Sequence, residues 1–189
     1  MLSDSDKTII RVLYYFMDTT IEIERDFDLT EIINGEEVMS PSPFERHQKI
    51  SKKLNRVIDR HVEVKGLGEL YYSPLDVIFE EGQVRLQPDL FFIRKDNMGI
   101  VRDWIRGVPD MVCEIVSTGS YERDIEIKRA IYEKYRVPEY WLVVPELQTI
   151  EILTIEGDKY KQYCIAGLDD VVTSKVIEGL TVNVKEIFE

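Results

Sequence analysis

Three successive stretches of this chain decide its fold: QPDLFFI at residues 87–93, VPDMVCEIVS at residues 108–117 and YERDIEIK at residues 121–128. The first two are apolar runs typical of β-strands, yet Asp89 and Glu114 stand where apolar residues are expected. The third has the spacing of a helix and carries Lys128 on its apolar side. A buried charge is costly unless it is paired or binds a metal ion. Three of them in successive elements therefore indicate a metal-dependent active site rather than a plain core.

The strand predicted over residues 109–116 and the helix predicted over residues 121–135 orient these side chains. A period of two divides the strand into two faces, namely Asp110, Val112, Glu114 and Val116 against Met111, Cys113 and Ile115. Steps of three and four residues give the helix one stripe, which comprises Asp124, Lys128, Ile131, Tyr132 and Tyr135. Lys128 therefore either reaches a carboxylate of the strand, extends to solvent or pairs with Asp124.

The remaining elements follow from hydrophobic periodicity and turn residues. Asn34 and Gly35 lie between apolar positions, which predicts a hairpin. A helix is predicted over residues 44–64, with Ile50, Leu54, Val57, Ile58 and His61 as its buried stripe and His47 one turn earlier. Residues 9–17 fit a helix or a strand. The other predicted strands cover residues 70–80 with Asp76 inside, 84–93 with Asp89 inside, and 140–144, and a hairpin joins 149–155 to 159–165.

Composition favours an ordinary globular protein. The 189 residues fit one domain over residues 1–189, with residues 1–26 as an N-terminal extension that packs on the domain or on a partner. No apolar run is long enough for a membrane helix, and charges interrupt residues 2–17, which argues against a signal peptide. Two cysteines and two histidines are too few for a disulfide framework or a structural zinc site, so we expect a cytoplasmic protein.

A local excess of basic residues stands out in an acidic chain. The net charge of −12 counts against nucleic acid as a partner. The helix predicted over residues 44–64 nevertheless carries a basic stripe formed by Arg46, Lys49, Lys53, Arg56 and Arg60. This basic stripe is either a solvated helix face or a surface that contacts phosphates.

The chemistry of Asp89, Glu114 and Lys128 suits hydrolysis of a phosphodiester. Two carboxylates on neighbouring strands can hold Mg²⁺ or Mn²⁺, and the backbone carbonyl of Ile115 can add a ligand. Such a cation lowers the pKa of a bound water, and the lysine can orient that water or stabilise charge on a phosphoryl oxygen. Each residue also has a structural alternative: a turn for Asp89, an ion pair for Glu114 and a solvent-directed side chain for Lys128. Phosphate-loop, GxSxG and HExxH motifs are missing from the sequence.

The order of these residues resembles the PD-(D/E)XK nuclease superfamily. That pattern places an acidic residue on one strand and acid-x-lysine on the next, whereas Val116 stands here at the lysine position. Lys128 fits the variant in which the lysine comes from the following helix. Within the superfamily the chain resembles the Uma-two family, of restriction-endonuclease-like proteins, on residues 34–36, 40–48, 67–69, 87–89, 109–117, 124–132 and 137–143. The resemblance spans residues 27–188, and Thr118 replaces the usual proline.

The resemblance implies a restriction-endonuclease-like α/β fold, with a central mixed β-sheet flanked by helices and additional antiparallel hairpins. It implies a homodimer that hydrolyses nucleic acid, with DNA as the favoured substrate. Asp89 and Glu114 would hold Mg²⁺, Lys128 would be catalytic, and Asp76, His47 and Asp124 would border the site. The alternative is a non-catalytic nucleic-acid-binding or regulatory module that retains the nuclease fold.

Overall fold

A computed structural model of the chain describes residues 9–13, 20–24, 30–39, 44–116 and 123–189, with side chains from residue 30 onward except at 123 and 124. Its strands are β1 (Ile9–Leu13), β2 (Thr20–Glu24), β3 (Thr30–Ile33), β4 (Glu36–Met39), β5 (Gly68–Tyr72), β6 (Val77–Glu80), β7 (Val84–Leu86), β8 (Leu90–Arg94), β9 (Ile105–Arg106), β10 (Met111–Ile115), β11 (Glu139–Val144), β12 (Thr149–Glu156), β13 (Lys159–Ala166), β14 (Val171–Thr173) and β15 (Thr181–Asn183). Its helices are α1 (Glu45–Lys65), a 3₁₀ turn (Lys95–Ile100), a π-helical segment (Arg123–Lys128) that continues into α2 (Arg129–Lys134), and α3 (Val184–Phe188).

A mixed sheet of six strands carries the central elements, in the order β13-β12-β11-β10-β8-β5. β10 and β11 are parallel, and every other neighbouring pair in this sheet is antiparallel. All residues of β10 and β11 are buried, as expected for strands that are covered on both faces. Glu114 lies opposite Leu142 of β11, and it is therefore a charged residue in the middle of a buried strand.

Two apolar cores cover the two faces of this sheet. Met111, Cys113 and Ile115 point to the core that contains the buried side of α1 and α3. Val112 and Val116 point to the other core, which α2 shares with a second sheet in the order β4-β3-β7-β6-β9. The predicted alternation along β10 is confirmed, and Glu114 falls on the side of the second sheet because its parity is that of Val112.

Helix α1 confirms the helix predicted over residues 44–64, with both ends shifted by one residue. It ends at Gly66, which adopts the left-handed conformation with φ 62°. Its buried residues are Ile50, Leu54, Ile58 and Val62. His61 was expected in the buried stripe, but it is only half-buried, and its Nε2 donates to the backbone carbonyl of Glu178 at 2.9 Å. Because 3.6 residues make a turn, residues at steps of three and four do not stay on one line along a long helix. A residue near the end of the predicted stripe, such as His61, therefore lies off the line of buried contacts.

Two predicted strands are in fact four, and this moves both aspartates out of strands. The segment 70–80 divides into β5 and β6, with Asp76 in the connection between them. The segment 84–93 divides into β7 and β8, with Asp89 immediately before β8. In each case the chain passes from one sheet to the other at a proline, Pro74 or Pro88, which lacks the N–H that a continuous ladder requires.

Several other predicted elements are confirmed. Asn34 (φ 53°) and Gly35 (φ 81°) form the turn between β3 and β4, and both conformations are those of a type I′ hairpin turn. β12 and β13 form the second predicted hairpin. Ile9–Leu13 is a strand that pairs with β2, while the predicted packing of residues 1–26 concerns side chains outside the described part. Among the described helices, none is long and apolar enough to cross a membrane.

One buried carboxylate serves the fold alone. Glu139 is fully buried on β11, and its Oε1 accepts hydrogen bonds from Trp141 Nε1 at 2.7 Å and Ser174 Oγ at 2.6 Å. Its Oε2 accepts the backbone N–H groups of Lys175 at 2.6 Å and Val176 at 3.1 Å. Three of these four neutral donors lie between β14 and β15, so Glu139 fixes that connection on the central sheet.

We expect Glu139→Gln to lower the free energy of unfolding by about 2–3 kcal/mol, because an amide NH₂ would then face donors that need an acceptor. Urea unfolding followed by circular dichroism measures this loss. Glu186 lies on the exposed side of α3, and Glu186→Gln removes the same charge. This substitution should change the free energy of unfolding by less than about 0.5 kcal/mol. Equal midpoints for Glu139→Gln and the wild type would contradict this role.

Candidate active site

Asp89 lies directly before β8, at the end of an inner strand of the central sheet, and two donors hold its carboxylate. Its Oδ2 accepts the backbone N–H of Ile115 at 2.7 Å and lies 3.0 Å from Nε2 of His47, which comes from the first turn of α1. The side chain of Asp89 keeps 18% of its surface exposed. Because Ile115 directly follows Glu114, this hydrogen bond holds the carboxylate of Asp89 beside β10, one residue after Glu114.

Glu114 is paired inside the protein with residues from the helix that follows β10. Its Oε1 lies 3.1 Å from Nζ of Lys128 and accepts the hydroxyl of Tyr132 at 2.5 Å. Lys128 and Tyr132 are four residues apart, so the turn from the π-helical segment into α2 presents both on one side. Lys128 therefore turns inward to the strand. The alternative pairing with Asp124 involves a side chain outside the described residues.

A third carboxylate joins this group, and sequence reasoning missed it. Glu31 of β3 lies with its Oε1 3.0 Å from Nζ of Lys128 and accepts the backbone N–H of Gln87 at 2.9 Å. Glu31, Glu114 and Lys128, here called the buried triad, are 1%, 2% and 4% exposed. The available signal was the period of two in β3, which puts Glu31 on the same buried face as Ile33.

Asp76 contacts the buried triad indirectly, through Gln87. Its Oδ1 accepts Nε2 of Gln87 at 2.8 Å, and its Oδ2 lies 3.5 Å from Nη1 of Arg85. The backbone of the same Gln87 contacts Glu31. Asp76 thus lies at the border of the candidate site, whereas His47 contacts Asp89 directly.

The surroundings keep two further groups protonated. Burial, together with the negative charge and the hydrogen bond of Glu114, holds the pKa of Tyr132 well above its usual range, so its hydroxyl remains a donor. Burial and the charges of Asp89 and Glu114 likewise raise the pKa of the Cys113 thiol. A protonated buried thiol is a poor nucleophile. Cys113 moreover points to the face of the central sheet opposite Glu114, so its thiol does not belong to the group around that carboxylate.

The donor set fits a hard divalent cation. Across the described residues, no three His, Cys, Asp or Glu side chains are arranged as a metal centre. Mg²⁺ is commonly held by one or two carboxylates and completes its shell with water. Asp89 and Glu114 supply two carboxylates, and the carbonyl of Ile115 is the adjacent backbone oxygen. In the buried triad two carboxylates face one ammonium, and this excess of negative charge favours a cation nearby.

The basic stripe starts at the site and runs along α1. Arg46 precedes His47, and its Nη2 donates to the backbone carbonyl of Pro145. Lys49, Arg56 and Arg60 are exposed and Lys53 is half-buried. The stripe runs from Arg46 to Arg60 and therefore extends over roughly 20 Å along α1.

The chain is similar to a known protein family and to solved structures. The family model described as "Uma2: Putative restriction endonuclease" matches residues 19–185. Among solved structures, the chain is similar to a "putative nuclease belonging to DUF820" from Anabaena variabilis, with a TM-score of 0.71 and 19% identity over 84% of this chain and 89% of that one. The type IIG restriction endonuclease BpuSI matches with a TM-score of 0.40 and 15% identity over 82% of this chain and 17% of that one.

No curated protein matches the chain. The family model nevertheless covers most of the 189 residues, including every element that contributes to the candidate site. The likeness to the Anabaena protein, at 19% identity, bears on the fold alone. The chain belongs to the Uma2 family and has the restriction-endonuclease-like fold that its sequence predicts.

Proposed function

We propose that this protein is a divalent-metal-dependent nuclease that hydrolyses phosphodiester bonds in DNA, with Mg²⁺ or Mn²⁺ as its cofactor. The observation that carries the proposal is the convergence of three elements. Asp89 binds the backbone of Ile115, next to Glu114, and Glu114 pairs with Lys128. Membership of a family described as restriction endonucleases supports the same activity.

Each residue has a defined task in this proposal. Asp89 and Glu114 hold the cation, and His47 fixes the orientation of Asp89. A bound cation of this kind polarises the phosphoryl oxygen and lowers the pKa of a water molecule. Lys128 places a positive charge beside the reacting phosphoryl group or orients the attacking water. Tyr132 donates to Glu114 and thereby limits the rotation of that carboxylate.

The basic stripe supplies the surface on which we place the DNA backbone. Lys49, Lys53, Arg56 and Arg60 have no ion-pair partner among the described residues, so their charge remains available to phosphates. His47 connects the first turn of the same helix to Asp89. We extend the proposal to a homodimer, because two copies of the basic stripe would hold a duplex better than one. Light scattering would measure the molar mass of the protein in solution and so distinguish a dimer from a monomer.

The competing function is a non-catalytic module that binds nucleic acid. The observation that favours it is the low exposure of Glu114, whose carboxylate already has two protein partners. A buried ion pair of this kind also occurs as a purely structural feature. The two functions differ in one measurable property, which is metal-dependent cleavage.

We expect Asp89→Asn, Glu114→Gln and Lys128→Met each to lower the cleavage rate by at least about 100-fold, because each removes a group that acts on the reacting phosphate or on its cation. The assay follows plasmid and single-stranded DNA with Mg²⁺ and with Mn²⁺ by gel electrophoresis. Glu139→Gln is the matched control, since it also removes a buried carboxylate but should cleave at the wild-type rate. A folded variant that cleaves as fast as the wild type would remove that residue from the site.

Cation binding can be measured without a substrate. We expect Mn²⁺ to bind the wild type in calorimetry and Glu114→Gln to weaken binding by at least about tenfold, because one of two carboxylate ligands loses its charge. Glu139→Gln should bind as the wild type does. No heat from the folded wild type at millimolar Mn²⁺, together with no cleavage, would favour the non-catalytic module.

Salt dependence tests the basic stripe. We expect the triple variant Lys49→Ala, Lys53→Ala, Arg56→Ala to reduce the slope of log K against log salt by about two to three, since each phosphate contact contributes about 0.9. Fluorescence anisotropy with labelled DNA and a chelator measures binding without cleavage. The control removes three charges elsewhere, at Lys161, Lys175 and Lys185. Equal slopes for both triple variants would assign the stripe to solvent.

A further inference from the structure

Glu31 is a buried carboxylate from the second sheet that contacts the lysine of the candidate site. We propose that Glu31 is a positioning residue, which holds the ammonium of Lys128 and shares it with Glu114. Its effect on cleavage rests on the proposed function, whereas its effect on Lys128 can be measured without any activity. The hairpin of β3 and β4 would thus contribute a positioning residue to the candidate site.

The contacts of Glu31 leave it little freedom. One oxygen, Oε1, meets both Nζ of Lys128 at 3.0 Å and the backbone N–H of Gln87 at 2.9 Å. The side chain of Gln87 is itself held by Asp76, which faces Arg85. The polar contacts that link Arg85, Asp76 and Gln87 therefore hold Glu31 in place. This arrangement gives a flexible lysine side chain a fixed second partner.

Sharing one ammonium between two carboxylates has an electrostatic consequence. If Lys128 faced Glu114 alone, the pair would be neutral and Glu114 would be a weaker ligand for a cation. With Glu31 present the buried triad keeps an excess negative charge, while Nζ stays 3.1 Å from Glu114. Glu31 thus both positions the lysine and preserves the negative charge of the site.

A purely structural carboxylate in this fold has a different environment. Glu139 is as deeply buried, but its described hydrogen-bond partners are four neutral donors. It lies on the face of the central sheet that carries Trp141, whereas the buried triad lies on the opposite face. Glu31 instead takes a charged partner that already has a carboxylate.

The experiment measures how fast a small acetylating ester modifies Lys128 in the folded full-length chain. Mass spectrometry compares Lys128 with exposed Lys161 in the same sample, at one pH. We expect Glu31→Ala to accelerate modification of Lys128 by at least about tenfold, since the loss of a buried charged partner is worth a factor of this size or more. Glu31→Gln keeps an oxygen acceptor of the same shape, so we expect an acceleration of about threefold.

Glu139→Gln controls for general destabilisation, and its Lys128 should react as in the wild type. Wild-type reactivity of Lys128 in both Glu31 variants would overturn the positioning role, and Glu31→Gln alone decides the matter where Glu31→Ala does not fold. A second readout is Mn²⁺ affinity, which Glu31→Gln should weaken by about tenfold through the lost charge. Unchanged Mn²⁺ affinity would overturn the electrostatic part. A wild type that neither binds Mn²⁺ nor cleaves would overturn the proposed function, while the acetylation result would still decide the role of Glu31.

Discussion

A carboxylate in the middle of a strand that is covered on both faces needs partners, and the layers of this fold meet at Glu114 as a consequence. The central sheet supplies Glu114, the helix behind it supplies Lys128 and Tyr132, and the second sheet supplies Glu31. Removing Lys128 would leave two buried carboxylates without a positive charge, which costs more than an exposed ion pair is worth. The position of α2 between the two sheets is therefore tied to electrostatics as well as to apolar packing.

The other buried acidic groups show how the same chain satisfies a carboxylate for structural purposes. Glu139 is satisfied by neutral donors. Asp110 pairs with Nε of Arg94 at 2.9 Å and also accepts from the backbone of that residue and from Asn97. Both arrangements are complete within the protein. The buried triad differs because its two carboxylates share one ammonium, and Asp89 stands beside it, partly exposed, with a histidine. This excess of negative charge beside a partly exposed carboxylate is the feature on which the proposed cation site rests.

Local sequence patterns could predict the parts of the site that lie on regular elements. The alternation along β10 placed Glu114 on one face, and the helical spacing placed Lys128 and Tyr132 together. The same patterns failed at Asp89 and Asp76, because each apolar run continues across a proline where the chain changes sheets. Glu31 could not be predicted as a partner of Lys128, since that contact depends on how the two sheets stack rather than on either element.

Under the proposed function, the position of the basic stripe would account for DNA binding by a chain with a net charge of −12. Salt screens charges beyond about 10 Å at ordinary ionic strength, so a phosphate near α1 responds to the side chains within that distance and little to the rest of the surface. Lys49, Arg56 and Arg60 repeat along a helix whose first turn contacts Asp89 through His47. Under the proposed function, an anionic backbone that follows this helix would be led toward the carboxylates, where a divalent cation would offset their repulsion. The acidic remainder of the protein would then limit DNA binding elsewhere on its surface and restrict productive contact to one face.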